Sequence, residues 1–144
     1  MRSHKILEHT ADVRLKVEGD NMAELFTAAV EGMAGIISSQ ACLSSGTGPQ
    51  TFRPDREEEV SVSSPDIKSL LIDFLSEVLT QSHINRTVYC AAEIHELTEN
   101  SVQATVFGRN VEQFEEDIKA VTYHEVNVVK NEAGNYEAII IFDI

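Results

Sequence analysis

The spacing of hydrophobic residues changes repeatedly along the chain, and this change restricts the fold more than any other feature. Val13, Leu15 and Val17 alternate with charged residues, which is typical of a half-buried strand. Between residues 25 and 37, and again between residues 67 and 79, apolar residues recur at the spacing of an amphipathic helix. A chain with both patterns must pack helices against a sheet.

Local signals predict where the two helices begin. Asp20 or Asn21 can cap the first helix, because a short polar side chain accepts a hydrogen bond from a free N–H of the first turn. Ser63 or Ser64, followed by Pro65 and Asp66, predicts the start of the second helix, with the acidic residue in its first turn.

The remaining strands are short and are separated by turn-forming residues. A hairpin loop at residues 131–135, which contains Gly134, joins the last two. We expect an α+β fold: a two-layer domain, with two helices packed on a mostly antiparallel or mixed sheet of five or more strands. One domain covering residues 1–144 is sufficient for a chain of this length. The further strands are predicted at residues 59–62, 86–94, 102–107, 120–129 and 136–142.

The charge balance limits the kinds of partner. Asp and Glu number 24 against 11 Lys and Arg, which gives a formal net charge of -13. No run of basic residues is present, so we expect no direct grip on nucleic acid. The negative field instead attracts cations and basic protein surfaces.

The apolar runs and the cysteines indicate the cellular compartment of the protein. No stretch approaches the roughly 20 apolar residues that cross a bilayer, so we expect no membrane association, and the N-terminus lacks the pattern of a signal peptide. Cys42 and Cys90 are far apart in the sequence and form no metal-binding motif; a disulfide between them is possible, but reduced thiols of a cytoplasmic protein are the favoured interpretation.

The last predicted strand ends on a carboxylate. Asp143 follows five consecutive apolar residues, a pattern of a strand buried on both faces. A carboxylate in such a place is costly unless it is paired or bound to a metal, and the terminal carboxylate of Ile144 adds a second negative charge. The pair favours a hard divalent cation such as calcium, magnesium or manganese. The alternative, a solvated strand end, is the commoner interpretation of Asp143 taken alone.

Other candidate residues stay open to two interpretations. Asp12 can bind a cation or form a turn with Thr10. His9 and His124 can act as ligands or bases, although the structural role is favoured for each histidine taken singly. Lys119 can hold a phosphate or lie in solvent. An acidic cluster is interpreted as a solvated loop; it consists of Glu112, Glu115, Glu116 and Asp117.

Three segments together resemble the archease family. Residues 8–13, Glu-His-Thr-Ala-Asp-Val, are similar to its N-terminal signature, residues 118–124 to its IKAVTYH segment, and residues 142–144 to its C-terminal ending. The order of elements also resembles that of the family, so the similarity spans nearly the whole chain. One departure is clear: many members carry an Asp-and-His loop before IKAVTYH, whereas residues 108–117 here are acidic and lack histidine.

The resemblance implies an accessory protein of tRNA splicing and RNA repair. Archeases assist the GTP-dependent RNA ligase that joins a 2′,3′-cyclic phosphate or 3′-phosphate end to a 5′-hydroxyl, by promoting guanylylation of the ligase and its turnover. The resemblance further implies a divalent cation, calcium, bound by Asp12 and Asp143 with Ile144, and a functional face that includes Lys119. It assigns no catalytic residue to the chain, which would activate an enzyme and not be one.

Two other functions remain open. The chain can be a chaperone or specificity modulator of a tRNA methyltransferase, a role also suggested for this family. It can also be a metal-dependent hydrolase with His9 or His124 as base, although too few further ligands occur at a useful spacing. No motif of a nucleotide-binding loop, a nucleophile elbow or a zinc protease is present.

Overall fold

The computed structural model describes residues 12–42, 53–123 and 126–144. Nine elements follow one another within these residues, two of them helices. They are β1 (Asp12–Gly19), α1 (Met22–Ile37), β2 (Arg56–Ser63), α2 (Ile67–Asn85), β3 (Thr87–Leu97), β4 (Ser101–Asn110), β5 (Ala120–Thr122), β6 (Val129–Lys130) and β7 (Tyr136–Asp143). The α+β class, with two helices packed against antiparallel strands, is confirmed.

The described strands are divided between two sheets. Sheet A has the order β1-β7-β5, with β6 also paired to β7, and sheet B has the order β2-β4-β3. Every pairing is antiparallel. The sequence predicted the strands but not their division, because periodicity identifies a strand without identifying its neighbour.

The capping side chains explain where the helices begin. Asn21 accepts a hydrogen bond from the N–H of Glu24 at 2.9 Å, which confirms it as the cap of α1. At α2 the cap is Asp66, which accepts from the N–H of Ser69 at 2.8 Å. The predicted start at Ser63 or Ser64 is therefore wrong by a few residues. Pro65 precedes the helix, because the carboxylate of Asp66 satisfies a free N–H of the first turn.

Both sheets contribute to the same hydrophobic core. Ile140 and Phe142 of β7 and Val106 of β4 are fully buried in one cluster with residues of α1 and α2. Phe26 of α1 contacts Phe74 of α2, with ring centroids 5.6 Å apart. The helices thus link sheet A to sheet B through shared apolar contacts.

The prediction of one strand over residues 120–129 is wrong. Residues 120–122 and 129–130 form two separate short strands, and both pair with β7. The loop after them matches the prediction, since Gly134 has a positive φ of 85° and the N–H of Asn131 donates to the carbonyl of Asn135 at 2.7 Å. A glycine is suited to this position because it lacks a Cβ.

The expectation of reduced cysteines is also wrong, because Cys42 and Cys90 are joined by a disulfide. Cys90 lies at a register shift of β3 between Tyr89 and Ala91, where an extra residue bulges from the ladder. A bulge redirects a side chain, and here it allows Cys90 to meet Cys42 in the turn after α1. The sequence argument from free thiols to a cytoplasmic location therefore loses its support. No helix in the described part of the chain is long and apolar enough to cross a membrane.

Candidate functional site

The antiparallel pairing of β1 with β7 places two predicted site residues opposite one another. Asp12 and Asp143 are direct Cα partners in this register. Directly opposed residues project from the same face of a sheet, with Cβ atoms typically about 4.5–5.5 Å apart. Residues from the beginning and the end of the described chain thus meet at one end of sheet A.

The third strand of sheet A lies on the other side of the same carboxylate. Ala120 is the Cα partner of Asp143 on β5, so Asp143 is flanked by strands on both sides. The N–H of Lys119 donates to the carbonyl oxygen of Asp143 at 2.7 Å. This bond fixes the backbone of exposed Lys119 beside the carboxylate pair. Ile144 is half-buried and packs against the core, which holds the end of β7 in place.

The outward face of β7 is unevenly buried, although its sequence is apolar. Ile139 is 42% exposed, whereas Ile140 and Phe142 are fully buried. Ile141, which shares the outward face with Asp143, is only 3% exposed. The expectation of a strand buried on both faces therefore holds next to Asp143 but is wrong at Ile139.

The structure brings two carboxylate side chains together at this end of sheet A. Asp12 and Asp143 are both half-buried. Among residues 12–42, 53–123 and 126–144, no group of three or more His, Cys, Asp or Glu side chains stands close enough to hold a metal ion. Like charges directly opposed on a sheet are destabilising, so a cation that bridged the two carboxylates would offset their repulsion. His9 and His124 lie outside the described residues.

A second polar cluster was not predicted. Asp73, on α2, accepts hydrogen bonds from the Oγ of Ser64 at 2.6 Å and from the hydroxyl of Tyr123. The hydrogen bond to the Asp73 carboxylate raises the pKa of Tyr123, which lies in the segment after β5 and is 59% exposed. The signal in the sequence was an acidic residue between the buried side chains of Ile72 and Phe74. Its partners are distant in the chain, so only the fold identifies them.

Comparisons with known proteins cover the whole length of this fold. The model of the Archease protein family (MTH1598/TM1083) matches residues 4–144. Protein archease of Methanosarcina mazei is 32% identical over 151 aligned positions, which cover 99% of this chain and 97% of that protein. Protein archease of Pyrococcus abyssi is 28% identical and is covered completely, as is this chain.

Two solved structures have the same fold. The solution structure of Methanobacterium thermoautotrophicum protein 1598 matches with a TM-score of 0.71 and 23% identity over 96% of each chain. The crystal structure of an archease from Thermotoga maritima, described as a possible chaperone, matches with a TM-score of 0.61 and 19% identity over 100% of this chain and 99% of that one. At 23% and 19% identity these two structures show the fold alone. The family is shown by its model, which matches residues 4–144. This chain belongs to the archease family.

Proposed function

We propose that this chain is an accessory protein that holds a divalent cation at Asp12 and Asp143 and offers it to a GTP-dependent RNA ligase. The observation that carries the proposal is the register of sheet A, in which the two carboxylates are Cα partners. Membership of the archease family supports an accessory role. Guanylylation of the ligase is the step that we expect the chain to promote.

The donor set suits a hard cation that is shared with another molecule. Carboxylate oxygens are preferred ligands of calcium, magnesium and manganese. Calcium takes about 6–8 oxygen ligands, so Asp12, Asp143 and a main-chain oxygen near Ile144 leave positions for water or a partner. A site that is incomplete in one chain is suited to docking against a phosphate group held by an enzyme.

Electrostatics favour a basic partner. The chain carries a formal net charge of -13, which speeds encounter with a positively charged cleft and disfavours a direct grip on RNA. When bound, a divalent cation at the carboxylate pair would neutralise phosphate charge during nucleotide transfer. Lys119 adds a positive charge at the same end of sheet A, where its N–H is fixed by the carbonyl of Asp143. These residues would orient charge, while the ligase supplies the reacting group.

Substitution of the carboxylates tests the proposal. Asp12→Asn and Asp143→Asn keep the size of the side chain but remove its charge, so we expect each to lower calcium affinity and stimulation of ligase guanylylation at least about tenfold. Isothermal titration measures the first quantity, and transfer of labelled GMP to the ligase measures the second. Glu57→Gln, an exposed carboxylate of sheet B, is the charge-matched control. Full stimulation by both Asp variants would falsify the proposal.

A chaperone for a tRNA methyltransferase is the second candidate. The description of the Thermotoga maritima relative as a possible chaperone favours it. Co-purification discriminates between the two partners, because the first proposal requires the ligase and the second the methyltransferase. Hydrolysis of phosphoesters by the purified chain alone would instead identify an enzyme.

A further inference from the structure

The loop between β4 and β5, residues 111–119, is fastened to the turn that follows α1, residues 38–42. The Glu115 carboxylate accepts three hydrogen bonds from this turn, and the N–H groups of Glu115 and Glu116 donate to the carbonyl of Ile37 at 2.8 and 3.2 Å. Glu115 is exposed, as expected for a solvated loop, but its carboxylate is also hydrogen-bonded to another segment. The three donors to its carboxylate are Ser38 Oγ at 2.9 Å, Ser39 Oγ at 3.1 Å and the Gln40 N–H at 3.4 Å.

The same turn is tied covalently to sheet B. Cys42, the last residue of the turn, is bonded to Cys90 in the bulge of β3. Both cysteines are half-buried, so each keeps some contact with solvent. The disulfide therefore restricts the position of the very residues that hold Glu115.

The other end of the loop leads to the candidate site. Four positions after Glu115, the N–H of Lys119 donates to the carbonyl of Asp143, and Ile118 between them is fully buried. Ala120, the next residue, is the Cα partner of Asp143. A short, anchored segment thus connects the Cys42–Cys90 bond to the end of sheet A that carries the carboxylates.

We propose that the Cys42–Cys90 disulfide is a redox switch that fastens the 111–119 loop when oxidised and releases it when reduced. The consequence for cation binding rests on the proposed function of Asp12 and Asp143. Release frees the 38–42 turn from sheet B, which lowers the fraction of time that Glu115 is bound. The hydrogen bond from the Lys119 N–H to the Asp143 carbonyl then opens more often. Lys119 is no longer held beside the carboxylates of Asp12 and Asp143.

The reductant is a dithiol. One thiolate of the dithiol attacks a sulfur of the Cys42–Cys90 bond, which forms a mixed disulfide and expels the other cysteine as a thiolate. The second thiol of the reductant then displaces the bound cysteine, so the reductant becomes a disulfide and two protons end on Cys42 and Cys90. Two electrons pass from the reductant to the protein, and reoxidation reverses each step.

Hydrogen exchange of the full chain tests the switch without any metal or ligase. We expect excess dithiothreitol to speed exchange of the Glu115, Glu116 and Lys119 amides at least about tenfold, with a smaller change in the buried turns of α2. Cys42→Ser with Cys90→Ser is expected to exchange at the faster rate and not to respond to dithiothreitol. Reoxidation of the wild type should restore slow exchange.

A second variant separates the loop contacts from the disulfide. Glu115→Ala removes the acceptor of the three hydrogen bonds, so we expect fast exchange at Lys119 even in the oxidised protein. Glu116→Ala is the matched control, because alanine retains the main-chain bond to Ile37. Equal exchange of the 115–119 amides in oxidised and reduced protein would overturn the proposal, as would an acceleration spread evenly over all elements.

Calcium titration of the same samples links the switch to the cation site. We expect affinity to fall several-fold on reduction and to recover on reoxidation. If calcium binds in neither state while the loop still responds to dithiothreitol, the proposed function fails and the redox control of the loop stands. If calcium binds equally in both states, the link between the disulfide and the carboxylates is refuted.

Discussion

Sheets A and B differ in how far apart their strands lie in the sequence. Sheet B is built from one stretch, residues 56–110, and β3 is joined to β4 by a tight turn. Sheet A pairs β1 with β7, so residues 12–19 meet residues 136–143. The candidate site lies on the sheet with the distant pairing. Its carboxylates are therefore brought together only when β1 has paired with β7.

The outward faces of the two sheets also differ. Sheet B places Glu59 opposite Thr105, and Thr105 opposite Glu93, so its outward face is polar and acidic. Sheet A places Ile139 opposite Lys16 and exposes 42% of that isoleucine. An antiparallel sheet with one solvated face normally alternates apolar and polar residues, as sheet B does. Sheet A departs from this alternation on β7, where Ile139 and Ile141 both lie on the same face as Asp143.

The largest expected effect concerns neighbouring residues on opposite faces of β7. Ile140 is fully buried, so Ile140→Ala should lower the free energy of unfolding by roughly 2–5 kcal/mol, because it leaves a cavity in the core. Ile139→Ala removes the same atoms from a partly exposed position and should cost about 1 kcal/mol. Chemical denaturation of the oxidised protein measures both values.

The same experiment tests whether the sheets unfold together. Since Ile140 of sheet A and Val106 of sheet B belong to one core cluster, Ile140→Ala should shift a single transition that is seen by probes of both sheets. Two separate transitions would contradict a shared core. Equal losses for Ile139→Ala and Ile140→Ala would contradict the assignment of the two faces.

A smaller effect is expected from a glycine of sheet B. A Cβ on Gly108 would lie 2.4 Å from Cγ2 of Thr87 and 2.7 Å from the backbone oxygen of Val88, so Gly108→Ala must displace β3. Overpacking of this kind costs roughly 1–3 kcal/mol. Gly35→Ala is the control, because a Cβ there meets nothing within 4 Å and alanine favours the helix by about 0.5–1 kcal/mol. A stability gain in Gly108→Ala, measured by thermal unfolding, would show that β3 and β4 are not this close.

Sequence patterns were sufficient for the two helices and for most strands, but not for the break between β5 and β6 or for the pairing of the strands. The stripe from Leu25 to Ile37 predicted α1, and Asn21 predicted its cap, because both signals lie within a few residues of the helix that they specify. Gly32 allows α1 to pack closely on β1, because a Cβ there would lie 2.5 Å from Leu15 Cδ2. Gly35 makes no such contact, because its side of the helix is open.

At the candidate site the two residues could be predicted from the sequence, whereas their position opposite one another could not. Asp143 was a candidate because it follows an apolar strand, and the resemblance to the archease family added Asp12 as its partner. Periodicity, however, does not show which strands are neighbours. Cys42 and Cys90 illustrate the same limit. The bulge that places Cys90 within reach of Cys42 depends on the register of β3 against β4. Asp73 was missed because its partners, Ser64 and Tyr123, come from two other segments.

The smallest expected effect concerns acid stability at the far end of sheet A. The carboxylate of Glu18, on β1, accepts hydrogen bonds from the side-chain amides of Asn131 at 2.8 Å and Asn135 at 3.3 Å. The bond from Asn131 is the largest cause of a pKa below the ordinary value of 4.5 for this carboxyl group. A lowered pKa means that the folded state binds the proton less tightly than the unfolded state does.

The sign of the pH effect follows from that difference. The contribution of Glu18 to stability is complete above pH 4.5 and is lost as the pH falls through the lower pKa of the folded state. Glu18→Gln should therefore be less stable than the wild type near neutral pH, and the gap should narrow on acidification below 4.5. Glu57→Gln, on the outward face of sheet B, removes one charge without touching the 131–135 loop. Urea unfolding at several pH values measures the free energy of unfolding of both variants and of the wild type. If the difference between Glu18→Gln and the wild type stays constant with pH, the asparagines do not distinguish the charged from the neutral carboxyl group.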